Sequence, residues 1–280
     1  MPDIHVVSDT ASDLPPDLAE RHGIDLVPLT VRFGAEELVD RKDLTPADFW
    51  ARVATSPVLP ETAAPSPGAF EEAYRRAAGA GAAGVVCVTI SSALSATYEA
   101  ARLGAEAVAD TIPVRVVDSR AVSMSEGTVA LTAARLAEEG HDLDGVAKGA
   151  EEMVPRTRTF AALDTLENLR KGGRIGAAQA LLGSMLSIKP IIEVANGKVE
   201  PESKQRTRGR SLRYLADKVR QSAPVENLAV LHGSAPDLDE MLGLLADICP
   251  RDQIMVGDVG PVIGTHAGPR VMGVTFTVPS

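Results

Sequence analysis

Short apolar runs alternate with amphipathic stretches through the first half of the chain. Residues 4–7, 85–90 and 114–117 are apolar runs of strand length, and helical patterns follow at 93–108 and 123–139. Apolar strands that alternate with helices are typical of a parallel sheet covered by helices on its faces. The first half is therefore predicted to be a doubly wound α/β domain.

The first predicted helix follows the first strand closely. Ser12 and Asp13 are expected to cap it, and Pro15 and Pro16 to open it. Proline is tolerated at such a position because the first backbone N–H groups of a helix have no partner within the helix.

After about residue 155 the pattern changes to helices and strands in mixed order. The predicted helices are 165–171, 175–185, 205–222 and 236–247, and the predicted strands are 188–194, 198–200, 228–231, 253–257 and 271–278. Asn196 and Gly197 separate two strand-like runs, which is a strong signal for a two-residue hairpin. This half is predicted to be a mixed α/β domain.

The length of the chain agrees with two domains. A chain of 280 residues is long enough for two domains of about 100 to 150 residues, each with its own hydrophobic core. We expect a parallel α/β domain over 1–155 and a mixed α+β domain over 156–280, with 60–78 as a segment of the first that can pack with the second domain.

Composition narrows the class of protein. Hydrophobic residues make up 45% and charged residues 24%, as in ordinary globular proteins. No apolar stretch reaches the ~18 residues that cross a bilayer, and the N-terminus lacks a basic segment followed by an apolar run. We expect a cytoplasmic protein without a transmembrane segment, in which Cys87 and Cys249 are free thiols.

Charge separates the possible partners. A net charge of −10 argues against nucleic acid as a partner, because affinity for phosphate backbones depends on clustered Lys and Arg. The run from Lys204 to Arg220 is the exception, with seven basic residues against Asp217. It is either a solvated helix face or a docking surface for an acidic partner.

Familiar catalytic signatures are absent from the sequence. Residues 79–84 match GxGxxG, but they follow a predicted helix and precede a strand, which is the reverse of a dinucleotide site. They are interpreted as the end of that helix. Asp9 lacks the second aspartate of a phosphatase pair, so Asp9 and Asp13 are expected to cap turns. There is no GxSxG, GxxxxGK[ST] or HExxH motif.

Three segments carry four hydroxyl or imidazole side chains that are candidates for binding an anion. Ser91 and Ser92 stand where a buried strand ends and a helix is predicted to begin, so that free N–H groups and the helix dipole favour an anion. Thr62 lies in a proline-rich turn, and His266 lies among small residues. The alternative for each is structural: helix capping by the hydroxyls and a packing role for the histidine.

The order of several motifs together resembles the DegV family. The matching segments are 9–14, 28–31, 62–67, 91–98, 118–119, 169–175, 188–190 and 264–269. Members of that family resemble the fatty-acid-binding subunit of bacterial fatty acid kinase.

This resemblance implies a fold and a function. It implies a long-chain fatty acid buried between the two domains, with its carboxylate held by Thr62, Ser91, Ser92 and His266. It also implies that a separate ATP-dependent kinase phosphorylates the bound acid to an acyl phosphate. The chain would then be a carrier without catalysis, cofactor or metal of its own.

Basic residues near this predicted site are candidates for contacting the partner kinase or its phosphate. They are Lys171, Arg174, Arg206 and Arg208. Two other functions remain open at this point. One is a hydrolase or acyltransferase that uses Ser92 or Ser91 with His266. The other is a phosphotransfer protein that carries phosphate on His266.

Overall fold

The computed structural model describes residues 3–181 and 188–279. Its strands are β1 (Ile4–Asp9), β2 (Ile24–Val27), β3 (Thr30–Phe33), β4 (Glu36–Val39), β5 (Glu61–Ala63), β6 (Gly84–Thr89), β7 (Val114–Asp118), β8 (Thr157–Ala162), β9 (Lys189–Ala195), β10 (Lys198–Gln205), β11 (Glu226–His232), β12 (Met255–Asp258) and β13 (Met272–Thr277). Its α-helices are α1 (Pro16–Arg21), α2 (Pro46–Thr55), α3 (Pro67–Gly79), α4 (Thr97–Ala107), α5 (Met124–Glu138), α6 (Leu143–Met153), α7 (Glu167–Lys171), α8 (Arg208–Ser222), α9 (Leu238–Leu245) and α10 (Pro261–Ala267).

The chain divides into two compact units, each made of two segments. Unit 1 comprises Met1–Thr30 and Ala63–Pro155, and unit 2 comprises Val31–Thr62 and Arg156–Ser280. The expected division placed 31–62 in the first domain, whereas these residues belong to unit 2. Of the segment 60–78, residues up to Thr62 belong to unit 2 and the remainder to unit 1.

Unit 1 is built on a parallel sheet with the strand order β2-β1-β6-β7. The chain extends the sheet from β1 first to one side and then to the other, which is the doubly wound arrangement predicted from the apolar runs. All six residues of β6 are buried, as expected for a central parallel strand. Phe70 and Tyr74 of α3 pack against this sheet, and Cys87 is a buried free thiol.

Unit 2 is built on a mixed sheet with the strand order β10-β9-β8-β13-β11-β12. Only β11 and β12 run parallel among its described strand pairs, and the others are antiparallel. Leu212 and Leu215 of α8 and Met241 of α9 belong to the core on this sheet. The mixed α/β fold class is thereby confirmed. A small sheet with the order β4-β3-β5 lies largely within 31–62.

The hairpin predicted at Asn196-Gly197 is confirmed. These two residues join the antiparallel strands β9 and β10, and Ala195 pairs with Lys198. Both turn residues have positive φ, 51° for Asn196 and 79° for Gly197. That combination defines the hairpin turn that asparagine followed by glycine favours.

Two predictions about helix ends have different outcomes. Helix α3 ends at Gly79 and β6 begins at Gly84, so the interpretation of 79–84 as a helix end is confirmed. The predicted cap of the first helix is wrong, because α1 follows Pro15 without a side-chain cap. Ser12 instead ends a 3₁₀ turn that Asp9 caps by accepting a hydrogen bond from Ala11 N.

The predicted helix 175–185 is a 3₁₀ helix over Gly176–Leu181. Residues 182–185 of that prediction lie outside the described residues. No helix within 3–181 and 188–279 has the length and apolar character needed to cross a membrane.

Helix α2 anchors α10 within unit 2. The Trp50 indole N–H donates to the Val259 carbonyl at 3.0 Å, immediately before α10. A Cβ on Gly264 would lie 2.7 Å from Phe49 Cε1 and 2.8 Å from the Trp50 ring. Glycine is therefore required at 264 by the close approach of two aromatic rings.

We expect Gly264→Ala to destabilise the protein by about 1–3 kcal/mol, because the added methyl overpacks the aromatic contact. Gly243→Ala in α9 is the control, since a Cβ there meets nothing within 4 Å. That control should be neutral or stabilising by about 0.5–1 kcal/mol. Chemical denaturation measures both, and equal effects of the two changes would contradict the packing argument.

Candidate functional site

The candidate binding residues form two groups, one in each unit. Thr62 and His266 belong to unit 2, and Ser91 and Ser92 belong to unit 1. Each group is held by its own hydrogen bonds.

In unit 2, Thr62 and His266 are directly hydrogen-bonded. Thr62 Oγ1 lies 2.9 Å from His266 Nε2, although the two residues are 204 positions apart in the chain. Thr62 is in β5, and His266 is in the last turn of α10 rather than in an irregular loop. That helix ends at Gly268, whose φ of 80° favours glycine.

The other ring nitrogen of His266 faces a closed environment. Nδ1 is buried and has no hydrogen-bond partner among the described residues. A Cβ on Gly172 would lie only 2.4 Å from it. Burial lowers the pKa of His266 to about 4, and the nearby positive charge of Arg174 acts in the same direction. The imidazole is therefore neutral at physiological pH.

This environment selects the tautomer of His266. A proton on Nδ1 would be a buried N–H without an acceptor, which costs about 1–3 kcal/mol. An unprotonated Nδ1, in contrast, leaves no buried N–H without an acceptor. The form with its proton on Nε2 is thus favoured, and that N–H donates to Thr62 Oγ1. The hydroxyl proton of Thr62 is not used in this bond.

Helix α7 holds His266 in this position. The Asn168 side-chain amide donates to the Thr265 carbonyl at 3.1 Å, and the Asn168 carbonyl accepts from Gly172 N at 2.9 Å. The segment 169–175 therefore packs beside the histidine. No sequence pattern indicates a role for Asn168. Gly172 is marked only as the first of two glycines that follow a short predicted helix.

In unit 1, neighbouring elements take the N–H groups of the Ser91-Ser92 turn. Ile90 N donates to Asp9 Oδ2 at 2.9 Å, and Ser91 N donates to the Ala121 carbonyl at 2.9 Å. Ser92 N donates to Asp118 Oδ1 at 3.1 Å. Helix α4 begins only at Thr97. The prediction that free N–H groups and a helix start form an anion site here is wrong, because these groups are already hydrogen-bonded.

The two serine hydroxyls differ in their surroundings. Ser92 is exposed, and its Oγ donates to Asp118 Oδ2 at 2.5 Å. Ser91 is fully buried, and its Oγ accepts from Ala93 N at 3.2 Å. Asp118 is a partner that sequence patterns did not assign to this turn. In the proline-rich segment, the side chain of Ser66 caps α3 by accepting a hydrogen bond from Ala69 N.

The hydrogen bonds do not form a catalytic triad. The hydroxyl of Ser92 is bonded to a carboxylate, and Nε2 of His266 is bonded to Thr62. Within the described part of the chain, no group of three or more His, Cys, Asp or Glu side chains is arranged to hold a metal ion.

The four basic candidates differ in the ion pairs and hydrogen bonds that they already form. Lys171 pairs with Glu167 at 2.7 Å, and Arg174 Nη1 donates to the Gly172 carbonyl at 2.7 Å.

Arg208 is the most engaged of the four. Its side chain, 13% exposed, forms two hydrogen bonds to Asp237 at 2.7 and 2.9 Å. Arg206 is exposed and has no ion-pair partner among the residues that the structure describes.

Known proteins of similar sequence and fold cover the whole chain. The model of the DegV family of uncharacterised proteins matches residues 3–278. A DegV domain-containing protein of Streptomyces coelicolor is 40% identical over 98% of each chain. A fatty-acid-binding DegV family protein of Thermus thermophilus is 32% identical, with a TM-score of 0.89 over 99% of each chain. DegV of Bacillus subtilis, a fatty-acid-binding protein, is 29% identical, with a TM-score of 0.85 over 99% of each chain.

We expect His266 to titrate near pH 4 with its neutral proton on Nε2. Long-range ¹H–¹⁵N NMR spectra of histidine-labelled protein report both properties. An unfolded histidine titrates near 6.5, so the folded state should lose stability as the pH falls from about 6.5 to 4, by at most on the order of 3 kcal/mol. His266→Asn should lack that component. A wild-type titration midpoint near 6.5 would contradict the buried neutral state.

Proposed function

We propose that this chain, which belongs to the DegV family, binds a long-chain fatty acid and presents it to a partner kinase. The observation that carries the proposal is the Thr62–His266 pair, in which a neutral imidazole orients a hydroxyl donor. Relatives of 29% and 32% identity that match 99% of the chain are fatty-acid-binding proteins, which supports the same ligand class here.

The head group requires hydrogen-bond donors. A carboxylate removed from water is costly unless donors replace its hydration, and each bond to a charged group contributes about 1.5–3 kcal/mol. Thr62 is the first donor, since the Nε2–H of His266 leaves the threonine proton available. Ser91 and Ser92 are proposed as the second group of hydroxyls. Ser92 is the more accessible, and a ligand carboxylate would compete with Asp118 for its proton.

The acyl chain supplies most of the affinity. Burial of a sixteen-carbon chain at ~0.8 kcal/mol per methylene gives on the order of 12 kcal/mol before the cost of lost freedom. Aromatic residues make up only 3% of the sequence, which suits an aliphatic ligand better than one that stacks on rings.

The electrostatics favour a carrier over a hydrolase. A histidine with a pKa near 4 is a weak general base at neutral pH. Its Nδ1 also lacks the carboxylate that orients the histidine of a Ser-His-Asp triad. The close approach of Gly172 disfavours phosphorylation at Nδ1, and phosphorylation at Nε2 would require loss of the hydrogen bond to Thr62.

We expect Thr62→Val, which replaces the hydroxyl with a methyl group, to weaken fatty-acid binding about 10- to 100-fold. Thr62→Ser is the matched control, because it retains the donor and should bind within about threefold of wild type. Affinity is measured by displacement of a fluorescent fatty acid, and native mass spectrometry identifies the co-purified ligand. Equal binding by the valine and serine variants would refute the role of the Thr62 hydroxyl.

The same mass spectra test the hydrolase alternative. A non-covalent fatty acid that dissociates on denaturation supports the carrier. An acyl adduct on Ser91 or Ser92 would support the serine enzyme instead.

Presentation to a kinase would use the basic surface near Arg206. The protein carries a net charge of −10, so an exposed arginine without an ion-pair partner among the described residues is a favourable contact for an acidic partner. Lys171 and Arg174 are proposed to neutralise phosphate charge. Arg208 is less suited to this role because Asp237 already engages it.

We expect Arg206→Glu to reduce kinase-dependent formation of acyl phosphate about tenfold while fatty-acid binding is retained. Lys198→Glu, at an exposed position of β10, makes the same change of charge and serves as the control. The assay uses purified chain, fatty acid, ATP and the kinase. If both variants support the reaction like wild type, the docking surface lies elsewhere.

A further inference from the structure

A pair of buried acidic residues in unit 1 has no part in the function proposed so far. Asp9, at the end of β1, and Glu126, in the first turn of α5, are both 0% exposed. Burial of charged groups is costly, so two carboxyl groups side by side in the interior require hydrogen bonds that compensate for the lost hydration.

Asp9 connects the start of the chain to the Ser91-Ser92 turn. Its Oδ1 accepts from Ala11 N at 2.9 Å, and its Oδ2 accepts from Ile90 N at 2.9 Å. Ile90 immediately precedes Ser91. A single carboxylate therefore holds the 3₁₀ turn after β1 and the end of β6 in one arrangement.

Glu126 lies against Asp9 from the helix side. Its Oε1 accepts from Ser8 Oγ at 3.3 Å, and its Oε2 has no donor within reach among the described residues. Two ionised carboxylates would repel each other here, whereas a protonated Glu126 donates a hydrogen bond to Asp9. Burial first, and then the charge of Asp9, raise the pKa of Glu126 well above its ordinary value.

We propose that Asp9 is a positioning residue for the Ser91-Ser92 turn and that Glu126, as a neutral acid, fixes the Asp9 carboxylate by a hydrogen bond. This inference rests on the proposed function, because it assigns the pair a role in fatty-acid binding through that turn. Neither acid touches the ligand. They determine where the serine hydroxyls lie.

The other ionisable groups that face Glu126 favour the same protonation state. Asp13 adds negative charge beside it, and the Cys87 thiol of β6 is a neutral neighbour whose own pKa is raised by burial. No cation acts on Glu126 among these neighbours in the described structure. The neutral form is present below the raised pKa of Glu126 and is lost as the pH rises through it.

The first test replaces each buried aspartate by its amide. Asp9→Asn removes one of the two acceptors, so we expect about tenfold weaker fatty-acid binding and faster hydrogen exchange at the amides of Ile90 and Ser91. Asp13→Asn is the matched control, because Asp13 is also buried, 4% exposed, but accepts from Ser123 Oγ at 2.6 Å. Asparagine also tolerates its φ of 51°. Equal affinities of the two variants would overturn the positioning role.

A second test remains available if Asp9→Asn does not fold. Wild-type affinity should decline as the pH rises through the raised pKa of Glu126, and Glu126→Gln, which keeps a neutral donor, should lack that decline. The ionisation of the fatty acid affects both proteins equally. A decline as steep in Glu126→Gln as in wild type would overturn the role of Glu126. Absence of fatty-acid binding by wild type would instead refute the proposed function itself.

Discussion

The hydrogen bond between Thr62 and His266 is the interaction on which the candidate site of unit 2 depends. It joins a short strand near the start of the chain to a helix near its end. Three close contacts serve it. The aromatic rings of α2 pack closely against α10 at Gly264. Asn168 hydrogen-bonds α7 to α10, and Gly172 packs against the second nitrogen of the imidazole. Replacement of either glycine by a larger residue would displace the ring or the helix that carries it. The polar chemistry of the pair is therefore set by packing around it.

In unit 1, carboxylate side chains rather than close packing at glycines hold the candidate residues in place. The loops after parallel strands are irregular, and their N–H groups must find acceptors. Asp9 and Asp118 provide these acceptors at the ends of β1 and β7, on either side of β6. The turn after β6 is thus held from both neighbouring strands. A rigid turn presents its side chains at low entropic cost, which is the property expected of a preorganised binding residue.

Regular elements were largely predictable from the sequence, and their long-range partners were not. Continuous apolar runs identified β6 and β7, and Asn196-Gly197 identified the hairpin, because these signals are local. The strands β3 and β4 were not predicted, because each is only four residues long and carries polar side chains. Local patterns made Thr62, Ser91, Ser92 and His266 separate candidates, and only the family resemblance joined them into one site. Asp118, Asn168 and Gly172 act through contacts that no local pattern encodes. The supposed anion site of free N–H groups failed for the same reason, since their acceptors are distant in sequence.

Unit 2 consists of two segments that are far apart in the sequence, and this separation determines when its contacts can form during synthesis. Residues 31–62 leave the ribosome early, yet their partners in the same unit begin at Arg156 and extend to the end of the chain. Both segments of unit 1 are complete much sooner. Thr62 cannot meet His266 until residue 266 has emerged, and contacts of such long sequence separation form slowly. The Thr62–His266 hydrogen bond therefore forms after unit 1 is complete, so that nascent chains that stop before residue 266 would hold unit 1 without this pair.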